Sequence, residues 1–190
     1  MKHKFAIIGL GIMGRRMLEN VLRHPDFEVC GLWDPSTDSV AKTRLISPNA
    51  PIAQSAKAAM HEAHVVYLAC PPGPRKTYAL EAAANGQGVF MEKPLGTDNL
   101  QSRDLLKQLA KARLPSVVNF TQAASRGFEE LSRSIHAGEA GDLLGIDIVV
   151  NYPAWPRAWQ KDADWLRFRH EGGYTREVIS HFLFLAGRFL

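Results

Sequence analysis

Apolar residues along this chain follow two alternating rhythms. Short unbroken runs at Phe5–Ile8, Phe27–Trp33, His64–Cys70, Gly88–Glu92 and Ser116–Thr121 are apolar on both faces and read as buried strands. Between them, the spacing of apolar positions matches 3.6 residues per turn. It predicts helices over Ile12–Arg23, about Thr37–Leu45, Ser55–Glu62, about Arg75–Asn85, and from the cap Thr97-Asp98 to about Arg113. Doubly apolar strands alternating with helices predict a parallel sheet covered on both sides, the doubly wound α/β class.

The pattern changes after Thr121. A helix over Ser125–Ala137 closes at Gly138, a long strand is expected over Leu144–Tyr152, and an aromatic, basic stretch from Trp155 to His170 follows. Gly172-Gly173 then opens a last apolar helix, Thr175–Leu185. The boundary is placed at about residue 120, giving a first domain over 1–120 and the start of an α+β substrate or oligomerisation domain over 121–190. One strong strand and two helices are thin for an independent core. The chain is therefore expected to be a fragment of a longer protein, and the protein a homo-oligomer assembled through the sheet of its second domain.

Composition narrows the partners. At 190 residues with 46% hydrophobic and 22% charged residues, the chain has the profile of an ordinary globular protein. A net charge of +4 is too small to imply nucleic acid. Trp155, Arg157, Trp159, Lys161, Trp165, Arg167, Arg169 and His170 interleave rings with cations in a way that suits single strands, but the lining of a polar small-molecule pocket explains them with no such partner. Cys30 and Cys70 lie in apolar runs and read as small buried hydrophobes. His61 and His64 lack the i, i+4 spacing of a helical metal pair, and no metal is expected. No segment approaches the roughly 18 continuous apolar residues of a bilayer span, so no membrane partner and a cytoplasmic location are expected.

The chemistry begins at Gly9-Leu-Gly-Ile-Met-Gly14, placed between the first strand and the first helix. Glycines there permit a tight turn, close approach of a pyrophosphate to the main chain, and close helix–strand packing. The phosphate would sit on the N–H groups at the helix start, where Ile12 and Met13 follow Gly11. Asp34 ends the second strand 20 residues beyond Gly14, the position of a carboxylate that accepts ribose hydroxyls. A carboxylate there repels a 2′-phosphate and points to NAD rather than NADP. Against this, Arg15, Ser36, Thr37 and Arg44 are near enough in sequence to build a phosphate pocket, so NADP stays open.

Three further motifs make the chain resemble the family of glucose–fructose oxidoreductase, inositol dehydrogenase and their rhizopine-catabolism relative. Val89-Phe-Met-Glu-Lys-Pro94 matches that family's Glu-Lys-Pro signature. Cys70-Pro-Pro72 stands where the family has Thr-Pro-Asn, with Arg75 in the place of its histidine. Gly172-Gly-Tyr-Thr-Arg-Glu-Val-Ile-Ser-His181 is similar to the family's Gly-Gly-x-x-x-Asp-x-Gly-x-His run, with Glu177 for the aspartate and Ile179 for the glycine. Ile135–Gly138, Gly141 and Leu144-Gly145 fit the family's helix–turn–strand.

The resemblance implies an N-terminal Rossmann domain and a hydride exchanged between NAD(P) and a secondary hydroxyl or carbonyl of a sugar-like or polyol substrate. It implies Gly9, Gly11 and Gly14 on the pyrophosphate, Pro71 and Pro72 beside the nicotinamide ribose, and Cys70 and Glu92 among the cofactor contacts. It further implies a cis peptide before Pro94. A histidine titrates near neutral pH and can take or give the hydroxyl proton, which suits His181. Lys93, at the carboxyl end of a parallel strand, can hydrogen-bond the reacting oxygen, and Glu177, four residues before His181, can orient substrate. Because of Arg75 and Ile179, the alternative is a dinucleotide-binding sensor or repressor without turnover on the same scaffold.

Overall fold

The structure is a computed structural model that describes residues 1–161 and 163–189. The chain divides into two compact units, Met1–Val118 and Asn119–Leu190.

In the first unit, strands β1 (His3–Ile8), β2 (Phe27–Trp33), β3 (Val65–Leu68), β4 (Gly88–Glu92) and β5 (Ser116–Asn119) form one sheet in the order β2-β1-β3-β4-β5. The β1–β2, β1–β3 and β3–β4 ladders are parallel. Helices α1 (Ile12–Arg23), α2 (Thr37–Ile46), α3 (Ala56–Met60), α4 (Pro72–Ala84) and α5 (Asn99–Ala112) connect them.

Strand alternation sends successive side chains to opposite faces, and helices cover both. Ala6, Ile8, Val66, Leu68, Val89 and Met91 face α3, α4 and α5 through Met60, Ala79, Leu105 and Leu109. Phe5, Ile7, Leu32 and Tyr67 face the other way, against Leu18 and Val21 of α1.

Beyond β2, Leu32 makes a single parallel bridge to Ile52. The Leu32 N–H donates to the Pro51 carbonyl and the Ala53 N–H to the Leu32 carbonyl, both at 2.9 Å. This is an edge strand cut to one residue, because Pro48 and Pro51 carry no N–H with which to extend a ladder. The predicted elements did not include it. Counting it, the sheet has the order of a dinucleotide-binding fold, with the direction of winding reversing between β1 and β3.

Element ends follow local chemistry. Ser36, Ser55 and Asp98 cap α2, α3 and α5 by accepting from backbone N–H groups. Helix α4 starts at Pro72, three residues before the expected Arg75, since a proline ring sets φ for a first helical turn and forfeits only an N–H with no intrahelical partner.

The second unit holds α6 (Arg126–His136), capped by Ser125, several short turns, and α7 (Ser180–Ala186). One expectation is corrected. The strand over Leu144–Tyr152 does not form. A strand exists through its ladder, and no described residue forms a β-ladder with this segment, which is exposed through Val149. The last helix runs unbroken over the expected Thr175–Leu185, but it opens in π geometry. Residues Thr175–Ile179 make a single π turn, in which the Ser180 N–H reaches back to the Thr175 carbonyl, before α7 begins.

Leu18 is fully buried on α1 against β1 and β2. Leu18→Ala is expected to cost about 2–5 kcal/mol, read as a lower urea midpoint at unchanged slope.

Candidate functional site

Register brings the strand ends level. Ile8 pairs with Trp33 and with Leu68, and Leu68 pairs with Met91. The residues that follow (Gly9, Asp34, Ala69-Cys70 and Glu92-Lys93) therefore leave the sheet in one row at its carboxyl edge. The Gly9 N–H donates to the Trp33 carbonyl and the Ala69 N–H to the Ile8 carbonyl, each at 2.8 Å, extending the ladders by one step.

The three loop glycines are bare for different reasons. Gly9 has φ +97°, and a Cβ there would lie 2.5 Å from the Cys70 nitrogen. A Cβ on Gly14 would lie 1.8 Å from the Gly9 carbonyl oxygen. The protein's own packing thus demands both. Around Gly11 no protein atom comes within 4 Å of where a Cβ would stand. Nothing in the fold requires glycine at that position, and open space beside the main chain is what an approaching phosphate needs. Gly11 is the N-cap of α1 and no side chain caps the helix, so the N–H groups of Ile12, Met13 and Gly14 lack acceptors within the helix. These residues fit a dinucleotide pyrophosphate.

Asp34 is tied into the same loop. Its Oδ2 accepts the Leu10 N–H at 2.6 Å and its Oδ1 the Ser36 N–H at 2.8 Å. A carboxylate offers about four acceptor sites, so capacity for ribose hydroxyls remains. Three of the four side chains considered for a 2′-phosphate pocket make single hydrogen bonds. Arg15 Nη1 donates to the Leu10 carbonyl at 2.6 Å, Ser36 Oγ caps α2, and Arg44, in the last turn of α2, donates to the Pro48 carbonyl.

Lys93 is half-buried where β4 ends, and the Lys93–Pro94 peptide is cis. Glu92 is buried, and its Oε1 accepts the Tyr67 hydroxyl. Arg75, only 2% exposed, donates from Nη1 to the carbonyls of Glu92 (2.5 Å) and Pro94, and from Nη2 to the carbonyl of Cys70 (2.5 Å). Burial pushes the Cys70 thiol above its usual range, and the Arg75 guanidinium opposes that shift. Pro71 is exposed and Pro72 buried at the start of α4. Tyr67 was read only as part of an apolar strand and Arg75 only as a departure from a family pattern. The available signal was chemical: a hydroxyl or guanidinium in a core run must find an acceptor.

The second unit carries the other two candidates. Glu177 is 5% exposed on the π turn, and His181 is half-buried one residue into α7. The imidazole meets the Phe120 ring edge-on, with centroids 5.7 Å apart, and Phe120 stacks flat on Phe184 at 4.2 Å. Gly172 is pinned against Leu166, whose carbonyl oxygen lies 2.4 Å from where a Cβ would stand. The aromatic segment folds on itself, with the Arg157 guanidinium over the rings of Tyr152 and Trp159.

The first unit has the build of a domain for a nicotinamide dinucleotide. A family described as an oxidoreductase family with an NAD-binding Rossmann fold matches residues 3–120, and the chain belongs to it, the glucose–fructose oxidoreductase, inositol dehydrogenase and rhizopine-catabolism (Gfo/Idh/MocA) family. An inositol 2-dehydrogenase of Gluconacetobacter diazotrophicus is 27% identical over 146 residues, covering 74% of this chain and 43% of that protein.

Among solved structures, the WlbA dehydrogenase from Bordetella pertussis, in complex with NADH and UDP-GlcNAcA, matches with a TM-score of 0.87 at 19% identity, over 100% of this chain and 55% of that one. The scyllo-inositol dehydrogenase from Lactobacillus casei, with NAD(H) and scyllo-inositol, matches with a TM-score of 0.69 at 17% identity, over 75% of this chain and 43% of that one. The chain spans about half the length of the relatives it matches. Among the described residues no helix is long and apolar enough to cross a membrane.

Gly11 and Gly14 should respond oppositely to alanine. Gly14→Ala is expected to destabilise the fold by about 1–3 kcal/mol through overpacking. Gly11→Ala should change stability by less than about 1 kcal/mol and weaken NADH binding by roughly tenfold or more, measured by fluorescence titration.

Proposed function

We propose that the protein carrying this chain is an NAD-dependent oxidoreductase acting on a secondary hydroxyl or carbonyl of a sugar-like or polyol substrate. The observation that carries the proposal is a single sheet edge bearing both a main-chain cradle left open at Gly11 and a lysine fixed at the end of β4. The family match supports the same reading.

The cofactor, when bound, supplies the hydride acceptor or donor, which leaves binding, orientation and proton handling to the protein. Gly9, Gly11 and Gly14 hold the pyrophosphate against the start of α1, and Asp34 holds the adenosine ribose. The Lys93 ammonium donates a hydrogen bond to the reacting oxygen and so favours the alkoxide-like charge that develops there. His181 takes the hydroxyl proton in oxidation and returns it in reduction. Glu177 orients the substrate. Assembly as a homo-oligomer belongs to the same proposal.

The test is incubation of the full chain with NAD and a panel of inositols, polyols, aldoses and UDP-GlcNAcA, following absorbance of the reduced cofactor. Turnover on at least one member is expected. Binding of NADH without turnover across the panel would instead support the sensor reading.

On the active substrate, Lys93→Ala and His181→Ala should each lower kcat by roughly a hundredfold or more, with the NADH dissociation constant within about threefold of the parent. Full turnover in both variants would remove the mechanism.

The carboxylate at Asp34, which repels a 2′-phosphate, supports NAD over NADP. NADH is expected to bind roughly tenfold or more tighter than NADPH, a difference of about 1.4 kcal/mol or more in a paired titration. Tighter binding of NADPH would overturn the preference.

A further inference from the structure

We infer that Arg75 is the positioning residue for Lys93, and that its guanidinium couples the turn bearing that lysine to the strand end on which the dinucleotide loop rests. The inference builds on the functional reading of Lys93 given above.

The geometry is specific. Arg75 lies on the first turns of α4, yet its Nη1 reaches the carbonyls of Glu92 and Pro94, the residues on either side of Lys93. The main chain entering and leaving Lys93 is therefore held by one nitrogen, and only the side-chain torsions of the lysine remain to be set. Glu92 is gripped a second time, through its carboxylate, by the Tyr67 hydroxyl from the middle of the sheet.

Nη2 of the same guanidinium donates to the Cys70 carbonyl. The Cys70 main chain abuts Gly9 so closely that a side chain on Gly9 would stand 2.5 Å from the Cys70 nitrogen. One buried cation thus links three points along the carboxyl edge: the support of the glycine loop, the end of β4, and the residue after Lys93.

The choice of side chain follows from donor geometry. A guanidinium spreads five N–H donors over a rigid plane and stays charged when buried, and carbonyl dipoles aimed at it offset the loss of water. A neutral imidazole has one donor and cannot bridge these carbonyls. A lysine keeps the charge but presents it at a point. Arginine in place of the family's histidine therefore need not mark a dead site. In this chain it is a clamp on the turn that carries Lys93.

The test is site-resolved lysine acetylation of the full chain by acetic anhydride without cofactor, read by peptide mass spectrometry, with Lys4 and Lys111 as internal references. In Arg75→Met, Lys93 should react about threefold or more faster, because the turn opens locally, while the reference lysines keep the parent rate. Arg75→Lys should recover more than half of that difference. If Arg75→Met does not fold, Arg75→Gln carries the same measurement, since its short neutral amide cannot span the three carbonyls.

A Lys93 rate within about 1.5-fold of the parent in the folded variants would overturn the inference. So would an equal acceleration at Lys4 and Lys111, which would mean general loosening. The measurement uses neither cofactor nor substrate. Its failure is therefore separable from failure of the catalytic reading, which is decided by turnover of Lys93→Ala.

Discussion

The Gly9 carbonyl occupies the place where a side chain on residue 14 would stand, 1.8 Å from the ideal Cβ position. This contact, between the turn leaving β1 and the first turn of α1, sets how closely helix and sheet can approach, and the rest of the site is built on it. It brings the start of α1 over the sheet edge with its N–H groups facing out. It also lets the Asp34 carboxylate reach the Leu10 N–H from the end of the neighbouring strand. A methyl group at position 14 would separate these parts, whatever the remaining residues were.

From that contact outward, the edge is held by polar groups satisfying one another where water is excluded. Asp34 ties β2 to the glycine loop, the loop rests on Cys70, and Arg75 ties Cys70 to the end of β4. Buried polar networks of this kind add little net stability for each bond, but leaving one member without its partner costs the full desolvation penalty. Such a network therefore acts mainly by specifying a geometry. At this edge the geometry it specifies places Lys93 relative to the dinucleotide cradle.

Much of this was legible from the chain alone because it rests on local chemistry. The five strands, the caps at Ser55 and Asp98, and the glycine turn all follow from residues within a few positions of one another, although β5 is an exposed edge strand and not the buried one expected. The errors arose where a long-range partner decides the outcome. Leu144–Tyr152 has the composition of a strand and no ladder to join. Ile52 stands alone behind Pro51, outside any apolar run, and is recruited by Leu32. The π turn before α7 adds one residue to a helical repeat, which the spacing of apolar positions does not reveal.

By itself the sequence determined the alternation of strands and helices, the turn at Gly9 and Gly14, and the identities of the groups able to do chemistry, since periodicity and side-chain type are properties of neighbouring residues. Only the tertiary structure showed that the protein's own packing does not require glycine at position 11. It alone showed that Arg75 spans 17 and 19 residues to hold the chain on both sides of Lys93. Those facts depend on which strand ends the register makes level, and register is fixed by packing between segments far apart in the chain.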